Sequence, residues 1–149
     1  MNYEIVNLKE KIVAGVSTRT SNMDKDMSIK IGGLWEKFYG DGVYFSIENK
    51  INDKAIGLYT NYEGDFMNTY DVIVCAEVYK ENPSLDNRII PEGKYAKFIV
   101  RGHMQKAVSE FWSKLLQMDL PRSYIADFEE YQPGGTMENA EIHIYISLI

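Results

Sequence analysis

Tyr124-Ile-Ala-Asp-Phe-Glu-Glu-Tyr131 alternates like a strand and yet carries three acids, Asp127, Glu129 and Glu130. Successive side chains of a strand point to opposite faces, so Ile125, Asp127, Glu129 and Tyr131 share one face and Tyr124, Ala126, Phe128 and Glu130 the other. Both faces therefore mix apolar and acidic groups. Two readings fit. In one, the strand lines a half-buried aromatic cavity, where a carboxylate pairs with a cationic ligand while rings stack on the ligand's apolar body. In the other, the strand is leaving the core and its acids are solvated, since acids are seldom fully buried.

Working outward, Gln132-Pro-Gly-Gly135 is a turn, and Ala140 to Leu148 is a last strand in which Ile142, Ile144, Ile146 and Leu148 alternate with Glu141, His143, Tyr145 and Ser147. Upstream, His103 to Met118 places Met104, Ala107, Val108, Phe111, Trp112 and Leu115 on one helical stripe, and Pro121 bars its continuation. Before that helix lies a strand from Ile89 to Val100, interrupted at Pro91-Glu-Gly93 and closed by Gly102.

The first half repeats this order. Tyr3 to Leu8 and Lys11 to Thr18 read as one opening strand with a break at Lys9-Glu10, and Thr18 to Asp26 reads as loop. A helix over Met27 to Tyr39 carries Ile31, Leu34, Trp35 and Phe38 on one face and ends at Gly40-Asp-Gly42. Val43 to Lys54 reads as a loop with a hydrophobic anchor. Strands Ala55 to Tyr62 and Thr69 to Tyr79 follow, joined through Glu63-Gly-Asp65. Gly33-Leu-Trp-Glu-Lys-Phe38 lies over Glu110-Phe-Trp-Ser-Lys-Leu115, matching both Trp and both Lys, and Tyr62 falls opposite Tyr131.

The expected fold is therefore α+β: duplicated β-α-β-β units with antiparallel sheets, arranged about a pseudo-twofold axis as one domain over 1–149, with repeats of about 1–80 and 88–149. If the units join side by side, their exposed sheet faces meet in a ligand cleft between the halves.

Composition narrows the function classes. The net charge is −6 and the basic residues are scattered, which argues against direct nucleic-acid binding by this chain and favours cations. No apolar run approaches the roughly 20 residues of a membrane span, and the N-terminal sequence lacks a signal-peptide pattern, so the expected location is cytoplasmic. The single Cys75 sits in Asp71-Val-Ile-Val-Cys-Ala76 as a buried small hydrophobe. Eleven Tyr, six Phe and two Trp are an aromatic excess suited to a pocket of apolar bodies and polar tips. His103 and His143 have no second ligand at metal spacing, and neither glycine pair fits a nucleotide-phosphate motif, so neither metal nor cofactor is expected.

The duplicated unit together with Ile90-Pro-Glu-Gly-Lys-Tyr-Ala-Lys-Phe98, the Trp112 helix, Phe128-Glu-Glu-Tyr131 and Glu141-Ile-His-Ile-Tyr-Ile-Ser-Leu148 resembles the GyrI-like effector-binding domains. These serve as ligand sensors in AraC-type and MerR-type bacterial transcription regulators and also occur as stand-alone proteins. The resemblance covers nearly the whole chain and is strongest in its second half.

It implies a pocket between the halves with Glu129 at its base contacting a cationic aromatic small molecule, Tyr131 beside it, and His143 and Tyr145 turned toward the cleft. Trp112 belongs either to that pocket or to the core. With Met1 already near the first strand, no helix-turn-helix segment is expected, and any regulation would involve a separate DNA-binding or target protein. Two alternatives stay open: a hydrolase of reactive cyclopropane-type natural products, with Glu129 as general base, and an interaction module such as a gyrase inhibitor.

Overall fold

The computed structural model describes residues 1–149. The elements are β1 (Glu4–Leu8), β2 (Lys11–Ser21), α1 (Met27–Trp35), α2 (Val43–Ser46), β3 (Ala55–Thr60), β4 (Thr69–Val78), β5 (Asp86–Ile90), β6 (Gly93–Gly102), α3 (Met104–Leu115), β7 (Arg122–Tyr131) and β8 (Ala140–Leu148). One π-helical turn, Glu36–Gly40, extends α1. All eight strands pair antiparallel in a single sheet ordered β1-β6-β8-β7-β3-β4-β2-β5.

Two short connectors dictate the shape of that sheet. Lys9-Glu10 joins β1 to β2, and Pro91-Glu92 joins β5 to β6, yet each connection runs from one edge of the sheet to the strand next to the other edge. In a flat sheet those strands would stand about 29 Å apart. Three Cα steps span at most about 11 Å. The sheet must curl until its edges approach each other. Its inner face then fills with Val13, Ile56, Leu58, Ile73, Phe128 and Tyr145, closed off by Leu8 of β1 and Ile90 of β5. Phe128 is wholly buried there, and a side chain of its size contributes about 1.5–3 kcal/mol by leaving water.

The outer face carries the helices. Leu34 and Phe38 pack on Ala14, Val72, Val74 and Ala76 of β2 and β4. Phe111 and Leu115 pack on Phe98, Ile142, Ile144 and Ile146 of β6 and β8. The central strands β3 and β7 lie between these two layers, and their outer face is the floor of the seam.

The duplication is written into the strand order, which reads the same from either edge when β1–β4 are exchanged for β5–β8. The edge strands are swapped: β1 pairs with β6 of the second half and β5 with β2 of the first. Val78 and Leu148 end β4 and β8, so Val74 and Ile144 are counterparts. Val74 pairs with Gly57 and Ile144 with Glu129. Gly57 is therefore the counterpart of Glu129, and Tyr59 that of Tyr131. This corrects the match of Tyr62 to Tyr131: Asn61, at φ 52°, ends the regular strand before Tyr62 is reached.

Other differences from the sequence reading have similar causes. The supposed single opening strand is two strands on opposite sides of the sheet, β1 beside β6 and β2 beside β4, and the one broken at Pro91 divides in the same way into β5 and β6. β2 continues through Ser21 because Thr18 to Ser21 find partners in Thr69 to Val72. β7 begins at Arg122 and bulges before Asp127, with Tyr124 at φ 55°. A short helix stands at Val43–Ser46 where a loop was expected.

Candidate functional site

Glu129 stands on the outer face of β7, where the two halves meet, and is only 2% exposed. Three neutral donors hold its carboxylate. The Tyr131 hydroxyl donates to Oε1 at 2.8 Å. The Tyr59 hydroxyl donates to Oε2 at 2.9 Å, and the Trp112 indole Nε1 donates to the same oxygen at 2.7 Å. An indole N–H can only donate. Burial and the neighbouring Glu129 charge push both tyrosine hydroxyls well above their usual range, so they too keep their protons and donate. Burial pushes the Glu129 carboxyl itself above its ordinary value of 4.5, while the three donors pull it part of the way back.

The walls come in two matching pairs. Trp35 meets Tyr131 edge-on at 5.1 Å between ring centroids, and Trp112 meets Tyr59 edge-on at 5.3 Å. Each pair joins a helix of one half to a central strand of the other. Beneath them lies Gly57: a Cβ there would come within 3.0 Å of Glu129 Oε1 and 3.5 Å of Trp35 Cζ2. One half supplies the acid and the other the space for it. A groove of about 190 Å³ opens beside this box, with Tyr39, Ala55, Met104 and Tyr131 in its wall. Tyr39 stacks on Trp35 and is 47% exposed.

The remaining two acids of the 124–131 stretch have cationic partners. Asp127, on the same face as Glu129, pairs with Arg122 at 2.8 Å and accepts from Tyr62 at 2.7 Å and from the Ser147 backbone N–H at 3.0 Å. Glu130, on the inner face, pairs with Lys54 at 3.3 Å. Among the three buried acids only Glu129 has no cation against it.

Of the residues singled out from the sequence, Glu129, Tyr131 and Trp112 converge on one point. Tyr145 and His143 do not join them, and their expected orientation is corrected. The isoleucines of β8 face the helices, and so does Glu129, which pairs in register with Ile144. Tyr145 and His143 are consequently on the inner face, where Tyr145 stacks on Phe128 at 4.6 Å and His143 Nε2 lies 2.7 Å from Glu141 Oε2. The expected meeting of helix-free sheet faces is corrected likewise. Curling of the sheet fills that face with core, and the open seam lies between the helices.

Sequence reasoning missed Trp35, Tyr59 and Gly57. The repeat already placed Trp35 over Trp112 and could have nominated it. Tyr59 and Gly57 needed the strand registers.

No helix is long and apolar enough to cross a membrane. Among curated proteins none matches the chain. An integron cassette protein from the mobile metagenome of Vibrio cholerae, VCH_CASS2, is 32% identical, with 97% of this chain and 95% of that one covered and a TM-score of 0.76. SAV2435, solved bound to tetraphenylphosphonium, is 19% identical, covers 99% and 94% of the two chains and has a TM-score of 0.79. A Staphylococcus aureus MU50 protein described as a putative bacterial transcription regulation protein is 20% identical, with 99% of each chain covered and a TM-score of 0.77. The last two share the fold. The family described as Cass2, integron-associated effector binding protein, matches residues 4–148. On that match, and on the identity to the Vibrio cholerae protein, the chain belongs to the Cass2 family of integron-associated effector binding proteins.

Proposed function

We propose that this protein binds small cationic molecules bearing aromatic groups, with Glu129 as the anionic contact and Trp35, Trp112, Tyr59 and Tyr131 as the walls. One observation carries the reading: a buried carboxylate held by three neutral donors, ringed by aromatic faces, with no cation of the protein's own. Taking a charge out of water is costly unless an opposite charge accompanies it. A ligand cation supplies that charge, and the rings add cation–π attraction in a desolvated setting. Membership in an effector-binding family agrees with this, and so does a protein of the same fold that holds tetraphenylphosphonium. In the wider setting, we read the chain as a ligand sensor of the GyrI-like kind.

Titration with tetraphenylphosphonium, followed by tryptophan fluorescence and calorimetry, tests the proposal. Wild type binds it in preference to neutral triphenylphosphine oxide, and Glu129→Gln erases the preference while leaving the weak binding of the neutral compound unchanged. Equal binding of the phosphonium by wild type and Glu129→Gln would refute the role of Glu129.

A further inference from the structure

The box around Glu129 is symmetric in its walls and asymmetric in its charge. Tyr131 and Tyr59 are counterparts in the duplication, and each donates to a different oxygen of one carboxylate, at 2.8 and 2.9 Å. Such bonding places the carboxylate close to the pseudo-twofold axis, between the halves rather than within one of them. Trp35 and Trp112 are also counterparts, and each meets the tyrosine of the opposite half edge-on at nearly equal separation, 5.1 and 5.3 Å. The counterpart of Glu129 is Gly57, which brings no second charge.

A single negative charge on the axis, with one indole on each side of it, has a complement. Resting on the cation-binding reading above, we propose that the site selects monocations carrying an aromatic arm on both sides of the charge, one arm against Trp35 and the other against Trp112. A ligand with all its rings on one side leaves one indole unused. Since indole faces are the best cation–π and stacking partners among side chains, the unused wall is a loss of affinity the two-armed ligand does not suffer.

The two walls also differ in one useful respect. Trp112 is tied to Glu129 through Nε1, whereas Trp35 makes no hydrogen bond to the carboxylate. Trp35 can therefore be altered without removing a donor from Glu129.

Calorimetry with three probes tests the proposal: dibenzyldimethylammonium, with two arms; (1-naphthylmethyl)trimethylammonium, with its rings in one arm; and neutral dibenzyl ether. Wild type is expected to bind the two-armed cation about tenfold more tightly than the one-armed cation. Trp35→Ala is expected to remove most of that difference, weakening the two-armed cation several-fold more than the one-armed cation, which can still use the Trp112 wall. Trp35→Phe, which retains a ring and fills more of the space, is expected to keep most of the difference and guards against a folding defect in the alanine variant. Equal affinities for the two cations in wild type, or equal losses for both in Trp35→Ala, would overturn the two-armed selection and leave the cation site standing. Binding of dibenzyl ether as tight as that of the two-armed cation would instead overturn the cation site, and the selection with it.

Discussion

Asp127 and Glu129 stand two residues apart on one face of β7, both out of water, and differ in what answers their charge. Asp127 has Arg122, whose side chain is itself 7% exposed, together with a tyrosine and a backbone N–H. Glu129 has only hydroxyls and an indole. The first is a finished ion pair that belongs to the fold. The second is half of one, and its geometry suits a charge that comes and goes. A strand can thus carry a charge-paired acid and an unpaired one side by side, told apart by partners rather than by burial.

The largest effect is expected on the structural side. Asp127→Ala leaves the Arg122 charge buried without a partner, a change that costs about 3–5 kcal/mol. Urea denaturation measures it. Combining Arg122→Met with Asp127→Leu should cost less than Asp127→Leu alone, because the double variant leaves no buried charge, while the Tyr62 hydroxyl and the Ser147 N–H lose their acceptor in both. A double variant as damaged as the sum of the single ones would show that the pair does more than neutralise itself.

Glu129→Gln should behave in the opposite way, weakening cation binding by at least about tenfold without destabilising the fold. The sign with pH follows from the raised carboxyl. The folded protein holds the Glu129 proton more tightly than the unfolded chain, so stability falls as pH rises from 4.5 through the higher folded value. Glu129→Gln escapes that loss. Its denaturation midpoint should exceed that of wild type at neutral pH, with the advantage gone below about pH 4. A variant less stable than wild type at neutral pH would mean that Glu129 is as structural as Asp127.

The smallest effects are expected on the inner face. Tyr145→Phe, which keeps the ring on Phe128, and His143→Ala, which gives up the contact with Glu141, should each cost less stability than Asp127→Ala and leave affinity for tetraphenylphosphonium where it was. A large loss of affinity in either variant would return those residues to the site and contradict the orientation of β8.

Alternation in 124–131 was enough to separate Glu129 and Tyr131 from Phe128 and Glu130, and the doubled Trp-containing helices were enough to suggest two halves and a seam. What alternation cannot state is which face a helix covers and which the curling sheet covers. That choice was made by Lys9-Glu10 and Pro91-Glu92, connectors too short to span a flat sheet, and their effect shows only once the strand order is known. Tyr145 and His143 were misplaced for this reason. The sequence repeat sets Tyr62 rather than Tyr59 opposite Tyr131, because nothing in it marks the irregular backbone at Asn61 that ends β3. Gly57 carries no side chain to attract notice, and its part in the site is the room it leaves.

The central claim is that Glu129 lacks a positive charge until a ligand brings one. Tetraphenylphosphonium does not titrate, so any proton exchanged on binding comes from the protein or the buffer. Calorimetry in buffers of different ionisation heat, at mildly acidic pH, counts that proton. Release of protons by wild type, disappearing in Glu129→Gln and fading as pH rises above the carboxyl's range, is the expected result. Binding with no proton release, or with the same release in the variant, would contradict it.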